Sequence, residues 1–149
     1  GFRKGINMLE DAVGKQYSRN DVERNCAEAM IYGENDEYGL DLPQEAFYTM
    51  GAFGGGMRIK SICGAVTGSL AVLGILFNSE IYEKQERMKR IAEEFIGEFE
   101  KRYGHLECSV LRDKYRDPVI GCETTVRMAA RVLEEIIQKY RREITYRGK

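Results

Sequence analysis

The chain has 149 residues, of which 43% are hydrophobic and 32% charged, and its formal net charge at pH 7 is -1. These values fit one soluble globular domain with its own core, and they argue against two ordinary domains and against a disordered chain. A surface that binds phosphates needs an excess of basic residues, so we expect no nucleic acid partner.

The most apolar stretch is the run 62–77, which contains no charged residue. A membrane-spanning helix needs about 20 such residues, so we interpret this shorter run as a buried core helix and expect no membrane span. The chain does not open with a basic segment followed by an apolar one, so we predict no signal peptide. A reducing, cytoplasmic setting is therefore expected for its four cysteines.

Helical periodicity dominates the first half of the chain. Apolar residues recur at three- to four-residue spacing in the first segment, at Ile6, Leu9 and Val13. After a break at 17–21, Asn25 is a good N-cap and predicts a second helix. Pro43, placed at a first helical position and followed by Gln44 and Glu45, predicts a third. That helix should end in the segment 51–57, whose three consecutive glycines indicate a loop or a close approach of backbone.

The second half is also predicted to be helical. Ser61 should open a fourth helix, and Asn78 and Ser79 should separate it from a long fifth helix that Gly104 ends. A short segment and a turn at Asp117 and Pro118 then precede a last helix, which we place from about 121 to 140. No alternating strand pattern competes with these predictions. We therefore predict an all-α, single-domain bundle of about five to six helices over residues 1–149.

The four cysteines share one feature, which is a predicted position near the start of a helix. They are Cys26, Cys63, Cys108 and Cys122, and no two of them form a C-x-x-C motif. At a helix start, unpaired backbone N–H groups and the helix dipole favour a thiolate, the form that attacks disulfides and binds metals. Nearby cations add to this effect before Cys63 and after Cys108: Arg58, Lys60, Arg112, Lys114 and Arg116.

Each of these features also has a structural interpretation. Cysteine is a small hydrophobic residue in many cores, and Cys122 lies on the apolar face of its predicted helix. The neighbouring cations can be solvated surface residues. His105 is the sole histidine, and in the sequence H-x-x-C it could bind a metal with Cys108 or simply cap a helix end.

Glycines cluster around Cys63. Gly54, Gly55 and Gly56 can offer backbone N–H groups to an anionic sulfur site. Gly64, Gly68 and Ala71 recur at three- to four-residue spacing, which leaves a nearly bare strip on the fourth helix. Since each glycine costs a helix about 1 kcal/mol relative to alanine, the strip needs a reason. It could let another helix approach closely, or it could form the wall of a shared site.

The arrangement of these motifs resembles a known family. The stretches N-C-A-x-A (25–29), GAFGGGM (51–57) and CGAVTG (63–68), followed by two later cysteines, are similar to the redox-active proteins labelled by the pattern C…GCAxxG…C…C. That label places glycine before cysteine, whereas here Gly64 follows Cys63. The family is in turn similar to a domain of split-Soret cytochromes c, which are dimeric and carry haem and an iron–sulfur centre.

The resemblance implies that the four cysteines act together and that an iron–sulfur cluster is their cofactor, with a homodimer as the expected assembly. Haem does not carry over, because the chain has no C-x-x-C-H motif and one histidine. Our first hypothesis is thus a cluster-binding electron-transfer protein, with Gly54, Gly55, Gly56 and Gly64 beside the cofactor. Zinc is disfavoured because paired cysteine motifs are absent.

Two other hypotheses remain. In the second, the protein is a cofactor-free thiol–disulfide enzyme or sensor in which Cys63 attacks and another cysteine resolves. In the third, it is a helical interaction module whose cysteines are structural. The redox partner and the substrate are not identified by any of the three.

Overall fold

The computed structural model describes residues 8–148 and shows a bundle of α-helices. No strand longer than an isolated bridge occurs within that range. The predicted all-α, single-domain fold is confirmed, and six of the helices have eight residues or more; Ile6 lies outside the described residues. The helices are α1 (Met8–Tyr17), α2 (Cys26–Tyr38), α3 (Gln44–Tyr48), α4 (Gly64–Phe77), α5 (Tyr82–Tyr103), α6 (Cys108–Tyr115) and α7 (Glu123–Lys139).

The core lies between α1, α2, α4, α5 and α7. Helix α2 packs on both α1 and α4, and α7 closes the bundle against α1, α4 and α5. On α5, Ile91, Phe95 and Phe99 are almost completely buried in this core. Burial of such side chains stabilises the fold by roughly 1.5–3 kcal/mol each, so packing of these faces, more than helix propensity, holds the bundle together.

The glycine strip on α4 faces helix α2. A Cβ atom built on Gly68 would lie 2.6 Å from the carbonyl oxygen of Ala27 and 2.8 Å from its Cα. The backbones of the two helices therefore meet where a side chain would hold them apart. The uncharged run 62–77 is thus a core helix packed by close backbone contact. Within residues 8–148, no helix is both long enough and apolar enough to span a membrane.

Several predicted helix ends are confirmed. Asn25 caps α2 in a capping box: its side-chain oxygen accepts the N–H of Glu28 at 2.7 Å, and the Glu28 carboxylate accepts the N–H of Asn25 at 2.9 Å. Gly104 ends α5 in the left-handed conformation with φ 84°. Such reciprocal caps satisfy N–H groups that the helix itself leaves unpaired.

Other predicted boundaries are wrong by a few residues. Ser61 does not open α4, because the segment 61–63 is extended and pairs with 106–108; the helix begins at Gly64. Pro43 occupies the cap position of α3 and not its first turn. Helix α7 begins at Glu123, after Asp117 and Gly121 have closed a turn by exchanging both backbone hydrogen bonds.

Candidate functional site

All four cysteines stand at the start of a helix, as predicted. Cys26 is the first residue of α2 and Cys108 the first residue of α6, while Cys63 and Cys122 occupy the cap positions of α4 and α7. Each cysteine therefore lies at the positive end of one helix dipole. None of the four forms a disulfide.

The four cysteines also line one cavity of about 190 Å³. Its wall includes the backbone of Gly55, Gly56 and Gly64, and the side chains of Tyr17, Arg24, Arg112 and Arg116. The four sulfur residues thus meet in space although they are widely separated in the chain. Of the four glycines expected at the site, three line the cavity, whereas Gly54 packs on Asn25, where a Cβ would lie 2.6 Å from the Asn25 Cβ.

A short backbone pairing brings Cys63 and Cys108 together. The N–H of Cys63 donates to the carbonyl of Leu106 at 2.8 Å, and the N–H of Cys108 donates to the carbonyl of Ser61. Between these bonds, Ile62 and Glu107 form an antiparallel bridge. This pairing sets the starts of α4 and α6 side by side. Neither segment shows an alternating pattern long enough to predict it.

The glycine-rich segment forms a tight left-handed wall of the cavity. Gly55 and Gly56 have φ values of 62° and 60°. A Cβ on Gly56 would lie 2.6 Å from the Cβ of Cys108 and 2.7 Å from the nitrogen of Ser61. No side chain fits there, so the predicted close approach of backbone is confirmed.

The left-handed conformation continues past the glycines. Met57, Arg58 and Lys60 have φ values of 59°, 69° and 58°, which costs a non-glycine residue roughly 1–2 kcal/mol. Strained backbone of this kind is held only where the surrounding structure demands it, and it clusters at functional sites.

Cys26 and Cys122 form a hydrogen-bonded pair. This bond lowers the pKa of Cys122 to about 6, with further lowering by the charges of Arg112 and Arg116 and opposition from burial. The same bond, together with burial, raises the pKa of Cys26 well above its usual range. The pair therefore consists of a Cys122 thiolate that accepts a hydrogen bond from the Cys26 thiol.

Tyr17 completes the surroundings of Cys122. Its hydroxyl oxygen accepts the backbone N–H of Cys122 at 2.9 Å, and burial raises the pKa of Tyr17 to about 12. The hydroxyl therefore stays protonated at neutral pH. Nothing in the sequence near Tyr17 points to this role, because the contact joins the end of α1 to the start of α7.

Cys63 differs from the expectation of a low-pKa thiol. Burial raises its pKa to about 11, although the N–H groups of Ala65 and Val66 at the start of α4 oppose this. The N–H groups at the helix start lower the pKa of Cys63, as expected, but burial raises this pKa by more. The lowered pKa belongs to Cys122 instead.

Three guanidinium groups line the cavity. Arg24 stacks on Tyr32 with its guanidinium carbon 3.7 Å from the ring centre. Arg112 and Arg116 have no carboxylate partner within the described part of the chain. The other predicted cations, Arg58, Lys60 and Lys114, do not line the cavity. Arg24 was not among the predicted site residues, although it lies only two residues before Cys26.

The site is not arranged around a single metal ion. Among residues 8–148, no three His, Cys, Asp or Glu side chains come together in a group that could hold one ion. The sulfur atoms of four thiolates around one zinc ion would lie about 3.8 Å from one another, since each Zn–S bond is about 2.3 Å long. The described cysteines form no such group. His105 is exposed and lies outside the cavity lining, so the H-x-x-C ligand pair finds no support.

The fold and the site together define a class of all-α protein in which four helices each direct one cysteine into a shared cavity. A family profile described as "Putative redox-active protein (C_GCAxxG_C_C)" matches residues 24–136, which include all four cysteines. The chain belongs to this redox-active family, and the resemblance drawn from the sequence is confirmed. No curated protein and no solved structure gives a significant match to the chain.

Proposed function

We propose that the protein transfers electrons and that Cys26, Cys63, Cys108 and Cys122 hold one iron–sulfur cluster. The observation that carries the proposal is the cavity of about 190 Å³ that all four cysteines line. Cysteine thiolates are the ligands of such clusters, which take up and release single electrons when bound.

The residues present fit the requirements of such a group. The four ligands of a cluster are shared among two or four iron atoms, so they do not have to gather round one point as the ligands of a single zinc ion do. Gly55, Gly56 and Gly64 leave part of the wall without side chains, and the space there suits a group larger than one ion. Arg112 and Arg116 bring positive charge that offsets the charge of four thiolates.

The chain would act on the bound group through charge and solvent exclusion. Cys63 and Cys108 are almost fully buried, at 5% and 6% exposure, whereas Cys26 and Cys122 are partly exposed, so water reaches the site mainly from their side. The four helix starts and the unpaired guanidiniums of Arg112 and Arg116 place positive charge around the site. Such charge would favour the more negative, reduced state of a bound cluster and so raise its reduction potential.

The test is purification without oxygen, followed by measurement of iron and acid-labile sulfide. A brown protein with both elements is expected, and Cys→Ala at any of the four positions should lower its iron content. His105→Ala is the matched control and should leave the iron content unchanged. A colourless, metal-free protein with four titratable thiols would overturn the proposal.

A second candidate function is thiol–disulfide exchange at Cys26 and Cys122, which the hydrogen bond between these residues favours. The Cys122 thiolate would attack one sulfur of a substrate disulfide, forming a mixed disulfide and releasing the other sulfur as a thiolate. Cys26 would then lose its proton, attack the Cys122 sulfur and release the second substrate thiolate. The substrate gains two electrons, the cysteine pair is oxidised, and an external dithiol reduces it again.

Peptide mapping after mild oxidation distinguishes this candidate. The metal-free protein should form a disulfide between Cys26 and Cys122 only. Any other pairing, or a protein that keeps four thiols under conditions that oxidise glutathione, contradicts it. In this candidate Cys122 replaces Cys63 as the attacking thiol, because the pKa of Cys63 is raised to about 11.

The proposal also includes a reducing, cytoplasmic compartment and a homodimer. Four unpaired thiols suit a reducing compartment, and the resemblance to a dimeric cytochrome domain favours two copies. Sedimentation analysis of the purified protein tests the assembly, and a monomer at micromolar concentration would remove that part of the proposal.

A further inference from the structure

A basic groove opens beside the cysteine cavity. It is lined by Lys60, Ser109, Arg112, Asp113, Arg116 and Pro118. Arg112 and Arg116 also line the cavity, so the two spaces share a wall. A molecule seated in the groove therefore lies next to the four cysteines.

The charge of the groove is not neutralised by the protein itself. Lys60, Arg112 and Arg116 make no ion pair with any residue in the range 8–148, and Asp113 is the single carboxylate in the lining. The whole chain carries a net charge of -1, so this positive groove is a local excess. Unpaired cations of this kind select negatively charged partners and speed their approach.

Exposed apolar side chains accompany the cations on both sides of the groove. On the side of Lys60, Met57 is 38% and Ile59 is 75% exposed; on the side of Pro118, Val119 is 90% and Ile120 is 45% exposed. Large apolar side chains grouped with cations are typical of surfaces that bind another protein. A small ion would gain no binding energy from the apolar side chains.

Both flanking loops are held in place by hydrogen bonds. The carboxylate of Asp117 accepts the N–H groups of Val119 at 2.7 Å and Ile120 at 3.1 Å. On the other side, the N–H of Ser61 donates to the carbonyl of Gly56 at 2.9 Å. A surface that is ordered before binding loses less conformational entropy when a partner arrives.

We propose that this basic groove and its apolar flanks, residues 57–60 and 116–120, are the docking surface for an acidic redox protein. The inference rests on the proposed redox function, since it names the class of partner, but docking itself needs no cluster. A second copy of this chain is disfavoured, because a two-fold interface would place Lys60, Arg112 and Arg116 against the same three cations.

Calorimetric titration tests the proposal with an acidic [2Fe–2S] ferredoxin as the probe and a basic cytochrome c of similar size as its counterpart. The ferredoxin should bind at low ionic strength, and binding should weaken steeply as salt is added. The double variant Arg112→Glu, Arg116→Glu should weaken binding roughly tenfold or more. Arg90→Glu, an exposed cation near the middle of α5, is the matched control and should change binding less than twofold.

Other outcomes overturn the docking surface. These are equal or tighter binding of cytochrome c, unchanged ferredoxin binding by the double variant, and tighter binding of a single-stranded oligonucleotide than of ferredoxin. Thermal melting of each variant excludes unfolding as the cause of lost binding. The measurement uses metal-free protein alongside protein as purified, so loss of docking and absence of a cluster are separate results.

Discussion

The Cys26 thiol donates a hydrogen bond to the sulfur of Cys122, and so joins the first turn of α2 to the start of α7. The two residues differ in pKa because one donates the shared hydrogen and the other accepts it. Arg112 and Arg116 act on the accepting side. Of the cysteines with a shifted pKa, Cys122 is the one that carries negative charge at neutral pH.

The pH dependence of alkylation should reveal this thiolate in metal-free protein. Thiolates react and thiols do not, so the rate at Cys122 should rise as the pH passes through about 6 and should be level by about pH 8. An ordinary cysteine would still gain reactivity up to its pKa near 8.5. Mass spectrometry of the Cys122 peptide after short exposures to iodoacetamide gives the rate. A midpoint at or above 8.5 would contradict the low pKa.

Removal of the donor should raise the pKa of Cys122. The variant Cys26→Ala leaves the thiolate without its largest stabilising contact, so the midpoint of its alkylation profile should move upward from about 6. Cys26→Ser keeps an O–H donor and serves as the control. Ultraviolet absorbance of the thiolate across a pH series measures both variants. Equal midpoints in the two variants would show that the hydrogen bond does not set the pKa.

The close contact between α4 and α2 predicts opposite effects for two glycines of one helix. Gly68→Ala places a methyl group against the backbone of Ala27 and should lower the free energy of unfolding by about 1–3 kcal/mol. Gly74→Ala meets no atom within 4 Å, so it should raise that free energy by up to about 1 kcal/mol through helix propensity. Urea unfolding measures both. If Gly68→Ala left the free energy of unfolding unchanged, α2 and α4 could move apart without loss of stability, which would contradict the prediction.

The cap of α2 can be separated from its loop contacts by two substitutions at Asn25. The Asn25 amide also donates to the carbonyls of Met50 at 3.1 Å and Gly51 at 3.2 Å. Asn25→Ser keeps a capping oxygen and loses these two bonds, whereas Asn25→Ala loses the capping oxygen as well. The alanine variant should be less stable than the serine variant by about 1 kcal/mol. Urea unfolding measures both variants. Equal free energies of unfolding would show that Asn25 stabilises the protein only through its bonds to Met50 and Gly51.

Local patterns were sufficient to predict part of this site. The N-cap at Asn25, the glycines before Cys63 and the position of each cysteine near a helix start follow from short-range sequence signals, and all are present in the structure. Such signals act within one turn of a helix, so predictions based on them do not depend on the tertiary contacts of the fold.

The errors have tertiary causes. Ser61 looked like a helix start, but pairing of its segment with 106–108 holds it extended. The pKa of Cys63 depends on how deeply the start of α4 is buried, and the local sequence does not predict that depth. Tyr17 contacts Cys122, 105 residues further along the chain, so no motif could place it at the cavity. Arg24 lies only two residues before Cys26, and this neighbourhood is the one local signal for its place there.

The order in which the chain is synthesised has a consequence for the cysteine cavity. Cys26 leaves the ribosome before its partner Cys122, which stands at the start of α7. Helices α2 to α6 are therefore synthesised before the acceptor of the Cys26 thiol exists. The cavity is therefore completed only after Cys122 has been synthesised, and any cofactor that needs all four sulfurs is inserted after that point.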